Sequence, residues 1–357
     1  MEPTVRGDES SRSPFTVHRS RCLVIQTAFL GDVVLTTPLL SVLAERDGPV
    51  DVVTTPAAAS LLENHPAVRN VVPYDKHGTQ RGWRGLWKIG ALLRSRNYRR
   101  VVLPHRSVRS AALALWSGAP ERVGFDDSPA AMSYTRRVRR AREGHEVERL
   151  LALAGLSTGT PPRVSLGLQP QDYAAADRWL EAHRVAPRFV ALAPGSIWAT
   201  KRWPYYAELA AALDRTSVIV GGIDDVPLAN SIAAAAPGRA VSAAGALSLR
   251  ASAALIERAA VLVTNDSAPL HLATAVGTPV VALFGPTVSE FGFGPRGPGD
   301  RILGMDDLAC RPCSSHGPQT CPLGHHRCMR DLSVGTVAKA VITLASAEDS
   351  RAICPRN

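Results

Sequence analysis

Cys22-Leu23-Val24-Ile25-Gln26-Thr27-Ala28-Phe29-Leu30-Gly31-Asp32-Val33-Val34-Leu35 passes from a strand-length apolar run, through a turn, into a helix. Successive apolar residues without alternation suit a strand covered on both faces, as in a parallel sheet. Leu35, Leu39, Val42 and Leu43 then recur on one helical face, which predicts a helix over about 33–45. Pro38 lies early in that helix and can kink it.

The same unit recurs downstream. Strands are predicted at Val50–Thr54, Val71–Pro73, Val101–Pro104 and Arg122–Gly124, with helices over 57–63, 84–96, 108–117 and 145–154. Residues 157–170, rich in Pro, Gly, Ser and Thr, read as a linker. A second series has a helix over 171–184 and strands at Phe189–Ala193, Ser217–Val220, Val261–Thr264 and Val280–Phe284. Its other helices fall at 204–214, 226–236, 248–258 and 268–276. Residues 286–330 read as irregular, before a last helix over 334–347. The expected organisation is a disordered leader over 1–20, a Rossmann-like domain over 21–160, a second over 171–335, and a helix and tail over 336–357. The class is α/β, with two doubly wound sheets facing each other across a cleft.

The composition agrees with a globular chain: of 357 residues, 45% are apolar and 20% charged. A net charge of +10 favours an anionic partner: a nucleotide, a phosphorylated glycolipid, a membrane surface or nucleic acid. The basic runs read as lacking the interleaved aromatics that base stacking wants, so nucleic acid is not the expected partner. No apolar signal core precedes Cys22, and no run of about 18 apolar residues occurs. The expected location is the cytoplasm, with peripheral contact at the inner membrane.

Ligands of open α/β sheets bind outside the carboxyl ends of the strands, so the loops there carry the chemistry. No G-x-G-x-x-G follows the first strand, which argues against a dinucleotide-dependent oxidoreductase. Asp32 sits there instead, beside Gly31. A carboxylate in this place can take a proton from a hydroxyl, and equally can cap a helix. After the strand Phe189–Ala193, Gly195 and Ser196 can offer backbone N–H groups and a hydroxyl to phosphate. Thr200, Lys201 and Arg202 follow, just before a helix, which suits a diphosphate leaving group. Thr264-Asn265-Asp266-Ser267-Ala268-Pro269-Leu270-His271 ends another strand at a helix start. The free N–H groups near Ser267 and Ala268 form an anion site there. Asp266 and His271 can reach phosphate or sugar hydroxyls, or can serve as a cap and a packed ring. In Val220-Gly221-Gly222-Ile223-Asp224-Asp225, Asp224 can accept ribose hydroxyls, although the pattern is also ordinary turn chemistry. His105, Arg106 and Arg109 are candidates for an acceptor phosphate, with denser arginine runs at 94–100 and 136–142. Cys310, Cys313, Cys321 and Cys328 form a late cluster near His316, His325 and His326. The C-x2-C pair suits a structural zinc, while the wider second spacing suits free thiols.

From about Arg21 to Ala345 these motifs resemble glycosyltransferase family 9, the bacterial heptosyltransferases. Leu30-Gly31-Asp32-Val33-Val34-Leu35-Thr36-Thr37-Pro38 looks like the family's first signature, and Pro194 to Pro204 like its phosphate segment. Asn265 to His271 resembles its D-S/T-G-x-x-H element, with Ala268 where glycine is usual. Cys321-Pro322-Leu323-Gly324-His325-His326-Arg327-Cys328-Met329 is similar to a segment of the heptosyltransferase II subfamily. The resemblance implies a GT-B fold, ADP-L-glycero-D-manno-heptose as donor and a phosphorylated lipid A–Kdo core as acceptor. It implies Asp32 as base, Lys201 on the donor phosphate, Asp266 and His271 on the donor, and inversion without a required cofactor. Glu290–Gly299 departs from the family pattern, as does the polar leader.

Overall fold

The computed structural model describes residues 21–156 and 160–353; the leader expected over 1–20 and linker residues 157–159 lie outside them. Two six-stranded sheets, parallel throughout, form the frame. The first holds β1 (Cys22–Ile25), β2 (Val50–Thr54), β3 (Val68–Pro73), β4 (Arg100–Leu103), β5 (Glu121–Phe125) and β6 (Arg136–Val138). The second holds β7 (Val190–Ala193), β8 (Ser217–Ile219), β9 (Ala240–Ser242), β10 (Val261–Asn265), β11 (Val280–Phe284) and β12 (Arg301–Gly304). Their orders are β3-β2-β1-β4-β5-β6 and β12-β11-β10-β7-β8-β9. The second is the first read from its other edge. Each sheet therefore reverses direction once, between β1 and β4 and between β7 and β10. A crevice opens outside the carboxyl ends at each reversal.

The strands that the sequence did not announce are β6, β9 and β12, each the edge strand of its sheet. β6 and β9 have three residues each, and β6 is part of an arginine run. Short, charged edge strands resist pairing with other chains and leave a weak hydrophobic signal. The first helix starts earlier than expected and divides: Leu30–Leu35 gives way at Thr36 to Thr37–Asp47, with Pro38 in the first turn of the second piece. Proline lacks the N–H that would continue the ladder. Thr36 Oγ1 covers the break, donating to the Asp32 carbonyl (2.7 Å) and accepting from Gln26 Nε2 (3.0 Å).

The two sheets share one core. A cluster of buried apolar residues runs from Val24, Val52 and Val102 through Val164 and Trp179 to Ala191, Leu262 and Ala282. Helix Pro170–Ala182 packs on helix Leu249–Arg258 at this seam. Arg250, only 7% exposed, clasps it. Its guanidinium donates to the Asp172 carboxylate (2.7 and 2.9 Å) and to the carbonyls of Ser60 (3.0 Å), Glu63 (2.7 Å) and Gly167. A second clasp joins the Glu146 N–H to the Gly292 carbonyl (2.9 Å) and Arg149 Nη1 to the Phe291 carbonyl (2.7 Å).

Burial pushes the Asp172 carboxyl up, but Arg250 and the Gln169 N–H outweigh it and hold the carboxyl below its usual range. The clasp is therefore whole above the ordinary carboxylate pKa and is lost as pH falls through the depressed one. Arg250→Met strands that carboxylate and three carbonyls. The expected cost is about 3–5 kcal/mol in urea unfolding at neutral pH.

Candidate active site

The carboxyl edges of the two sheets enclose a cleft with a cavity of about 540 Å³, within the range of small-molecule sites. Its walls come from both halves of the chain. Phe29, Gly31 and Asp32 follow β1; Gly195, Ser196, Trp198, Lys201 and Arg202 follow β7. Asp224 and Asp225 follow β8; Asp266, Ser267, Ala268 and His271 follow β10. Phe291, Phe293 and His316 add to the lining.

Asp32 lies in the first turn of helix Leu30–Leu35 and accepts the Phe29 N–H (3.2 Å). The cap reading thus holds, and the same carboxylate also lines the cleft. Burial, helped by the charge of Glu146, pushes its carboxyl up to about 6, against the Phe29 N–H, His316 and Arg140. Such a group is mostly ionised at neutral pH yet more basic than a surface aspartate, as a proton acceptor needs to be.

Gly31 turns out to serve the other half of the chain. A Cβ on it would stand 2.5 Å from His271 Cδ2. The helices Leu30–Leu35 and Ala268–Val276 meet here. Burial pushes His271 down to about 4, with Asp266 opposing. Its Nδ1 has no hydrogen-bond partner, and the Phe293 ring stands edge-on to it at 6.4 Å. A neutral imidazole can exchange a hydrogen bond with a ligand but offers no ion pair.

Lys201 Nζ donates to Asp266 Oδ2 (2.6 Å), and Thr287 Oγ1 donates to the same oxygen (2.7 Å). Asp266 is thus the counter-ion of Lys201 and not a helix cap. Helix Ala268–Val276 carries no side-chain cap at Ser267, and its first residues face the cleft. Arg202 donates twice to the Ser196 carbonyl (2.9 and 2.7 Å) and closes its own loop. Gly195 leaves room for the Asp225 carboxylate, whose Oδ1 would lie 2.2 Å from a Cβ there.

Three expectations are placed differently. Thr200 is buried and donates to the Pro318 carbonyl, so it ties down the cysteine segment and does not line the cleft. His105, Arg106 and Arg109 stand outside the cavity walls, on the first sheet's side. There Arg106 pairs with Asp127 (2.5 Å), and Arg109 Nη1 donates to the Lys76 carbonyl (3.2 Å). Lys76 Nζ in turn donates to the Thr27 carbonyl (2.6 Å), below Asp32. Cys310, Cys313, Cys321 and Cys328 are free thiols. Among the described residues no group of three or more His, Cys, Asp or Glu side chains is gathered to hold a metal ion. Of the two readings of this cluster, the described residues show free thiols and no formed zinc donor set. The segment is held by other means: Cys313 Sγ donates to the Cys310 carbonyl (3.3 Å), Cys321 Sγ accepts the His326 N–H (3.4 Å), and Cys328 is buried.

Sequence reading missed the aromatic wall. The His316 ring stacks on Trp198 at 6.1 Å and meets the edge of Phe29 at 6.2 Å. Trp198 stood inside a motif read for its cations, and an apolar indole on a loop was the available signal. His316 had none: it comes from a segment without periodicity. Thr287 and Lys76 were missed for the same reason.

The family model for glycosyltransferase family 9 (heptosyltransferase) matches residues 86–323. The chain belongs to glycosyltransferase family 9. This family 9 chain is 31% identical to lipopolysaccharide heptosyltransferase 1 of Pseudomonas aeruginosa, over 82% of this chain and 86% of that protein. It superposes on the crystal structure of a family 9 glycosyl transferase from Veillonella parvula with a TM-score of 0.82, at 24% identity, covering 92% and 98% of the two chains. For the E. coli ADP-heptose lipopolysaccharide heptosyltransferase II the TM-score is 0.76, at 24% identity, over 92% and 99%. The fold is GT-B, and the chain is a glycosyltransferase.

Gly31→Ala forces its new methyl into a buried imidazole. The expected loss is about 1–3 kcal/mol by denaturant unfolding, as for other overpacked contacts, with weaker ADP binding by calorimetry.

Proposed function

We propose that this family 9 enzyme transfers a heptosyl group, with inversion, from ADP-L-glycero-D-manno-heptose to the heptose/Kdo inner core of lipopolysaccharide. The observation that carries the reading is one cavity with Asp32 on one wall and Lys201, Ser267 and Ala268 on the other. Residues 21–160 then form the acceptor lobe and 171–335 the donor lobe. Asp32 takes the proton of an acceptor hydroxyl as its oxygen bonds to the anomeric carbon. The bond from that carbon to the diphosphate breaks, and ADP leaves with the electron pair. Lys201 and the uncapped helix start meet the charge, so a divalent cation is not needed for this step. Asp266 keeps Lys201 aimed and can accept sugar hydroxyls, with His271 adding one neutral hydrogen bond. Asp224 and Asp225, on the cavity wall, suit the ribose hydroxyls. His105, Arg106, Arg109 and Lys76 suit the phosphates of the acceptor. Closure of the cleft keeps water from the donor.

Among the described residues no helix is long and apolar enough to cross a membrane. We assign the enzyme to the cytoplasmic face of the inner membrane, as a peripheral protein. The likeness to both heptosyltransferase 1 and heptosyltransferase II leaves the acceptor position to be read from the product.

Incubation with ADP-heptose and a truncated core should add one heptose by mass spectrometry. Transfer from a UDP- or GDP-sugar instead would overturn the donor assignment. Asp32→Asn should keep ADP affinity and lower turnover by at least about 10²–10⁴-fold. Because the ionised carboxylate is the active form, turnover should fall about tenfold per unit below about pH 6 and level off above it. A limb at the ordinary aspartate value near 4 would show that another group limits the reaction.

A further inference from the structure

The net charge is unevenly placed. Residues 21–160 hold 20 Lys and Arg against 12 Asp and Glu, so eight of the ten excess positive charges lie in the first lobe. From Lys76 to Pro120 there are ten basic residues and no acidic one. Helix Gly82–Ser95 runs through that stretch. Gly85, Ile89, Gly90 and Leu93 face inward. Trp83 and Trp87 face outward, 68% and 56% exposed, and Leu92 lies beyond them. Arg81, Arg84 and Lys88 flank the two indoles and are also exposed. Trp83 is braced from the side by Trp116, with ring centroids 5.4 Å apart. The next helix, Val108–Trp116, extends the apolar patch through Leu115, half exposed.

Exposed indoles between cations have the chemistry of an interfacial helix. The rings enter the headgroup region while the cations meet anionic phosphates. The aromatic interleaving that the other basic runs lack is present here, so a nucleic acid has to be weighed. Stacking on a single strand wants a groove with free ring faces. This is an outward helix face, and Trp83 already leans on Trp116. A second copy of the chain fits less well, since the face would meet its own positive charge.

We propose that the outer face of helix Gly82–Ser95 docks on an anionic bilayer. A helix that follows a parallel strand begins at that strand's carboxyl end, which here is the cleft edge. Lys76 ties the connection between β3 and this helix to the loop that carries Asp32. Docking thus brings a lipid-anchored acceptor to the wall that holds the proposed base. This step rests on the reading of the first lobe as the acceptor lobe.

The test is flotation of the full chain with vesicles of phosphatidylcholine, or of phosphatidylcholine with about a third phosphatidylglycerol. The chain should float only with the anionic vesicles, less at high salt, with a blue shift of tryptophan emission. Trp87→Ser, and separately Arg84→Glu with Lys88→Glu, should each weaken binding at least about tenfold. Both should leave unfolding midpoints and transfer to a water-soluble acceptor unchanged. Equal binding by parent and variants, or no preference for anionic vesicles, overturns the docking face. Preferential binding to single-stranded RNA over anionic vesicles overturns it too. Loss of vesicle binding beside intact transfer to the soluble acceptor supports it. A parent that floats but transfers no heptose overturns the functional reading alone.

Discussion

Gly31 and His271 meet with only a hydrogen atom on one side of the contact, and the cleft depends on that closeness. Each residue belongs to the first turn or two of a helix that springs from a different sheet. Any larger residue at position 31 would hold the helices apart. Because they touch, the next residue, Asp32, is carried into the wall and away from bulk water. Desolvation there is the largest cause of its raised pKa. The basicity of this carboxylate is thus a property of two lobes brought together, not of the β1 loop alone. Were the lobes to part, water would reach Asp32 and its carboxyl would return toward the ordinary range. In the proposed reaction such a carboxylate gains basicity only as the cleft closes, when the donor is shielded from hydrolysis.

The opposite wall faces a different problem. It has to hold a lysine without leaving that charge buried and alone. The Lys201–Asp266 pair solves it, with Thr287 fixing the aspartate. Lys201 is 8% exposed, so an unpaired ammonium there would be costly. Phosphate oxygens arriving at the helix start can share the ammonium without moving it. In the proposed reaction the group would thus be aimed in advance, which is the condition for stabilising charge that develops in the transition state.

Much of this arrangement was legible in the sequence, for physical reasons that differ by element. Strands such as Val50–Thr54 and Val280–Phe284 are buried on both faces, so they are apolar apart from Asp51 and Thr54, without alternation, and their limits read correctly. Edge strands such as Arg136–Val138 are short and charged, and were read as arginine run only. The loops after β1, β7 and β10 were singled out because topology sends ligands there. The geometry decided what the residues do in them. Asp32 is both cap and cleft residue, whereas Asp266 gives up capping for Lys201. Thr200 looked like its neighbours but points at Pro318. His316 reaches the cleft from a distant segment whose register no periodicity announces. Contacts between residues far apart in sequence are set by packing, and one chain read alone carries no signal for them.

The partition of charge gives the two lobes different tasks. Residues 171–335 hold 14 basic and 14 acidic residues, so the second lobe carries no net charge. A diphosphate reaching it is met by a few fixed groups at short range. The first lobe, with 20 basic and 12 acidic residues over 21–160, keeps most of the positive charge, spread over its surface. Screening limits each charge to about 8 Å at physiological salt. A field of that kind adds little to binding a small anion in a cleft already lined by Lys201. It matters when the anion is itself a surface, where many charges act at once and each adds its share. The lobe with Asp32 therefore has the electrostatics for an extended anionic partner, and the lobe with Lys201 has those for a compact one.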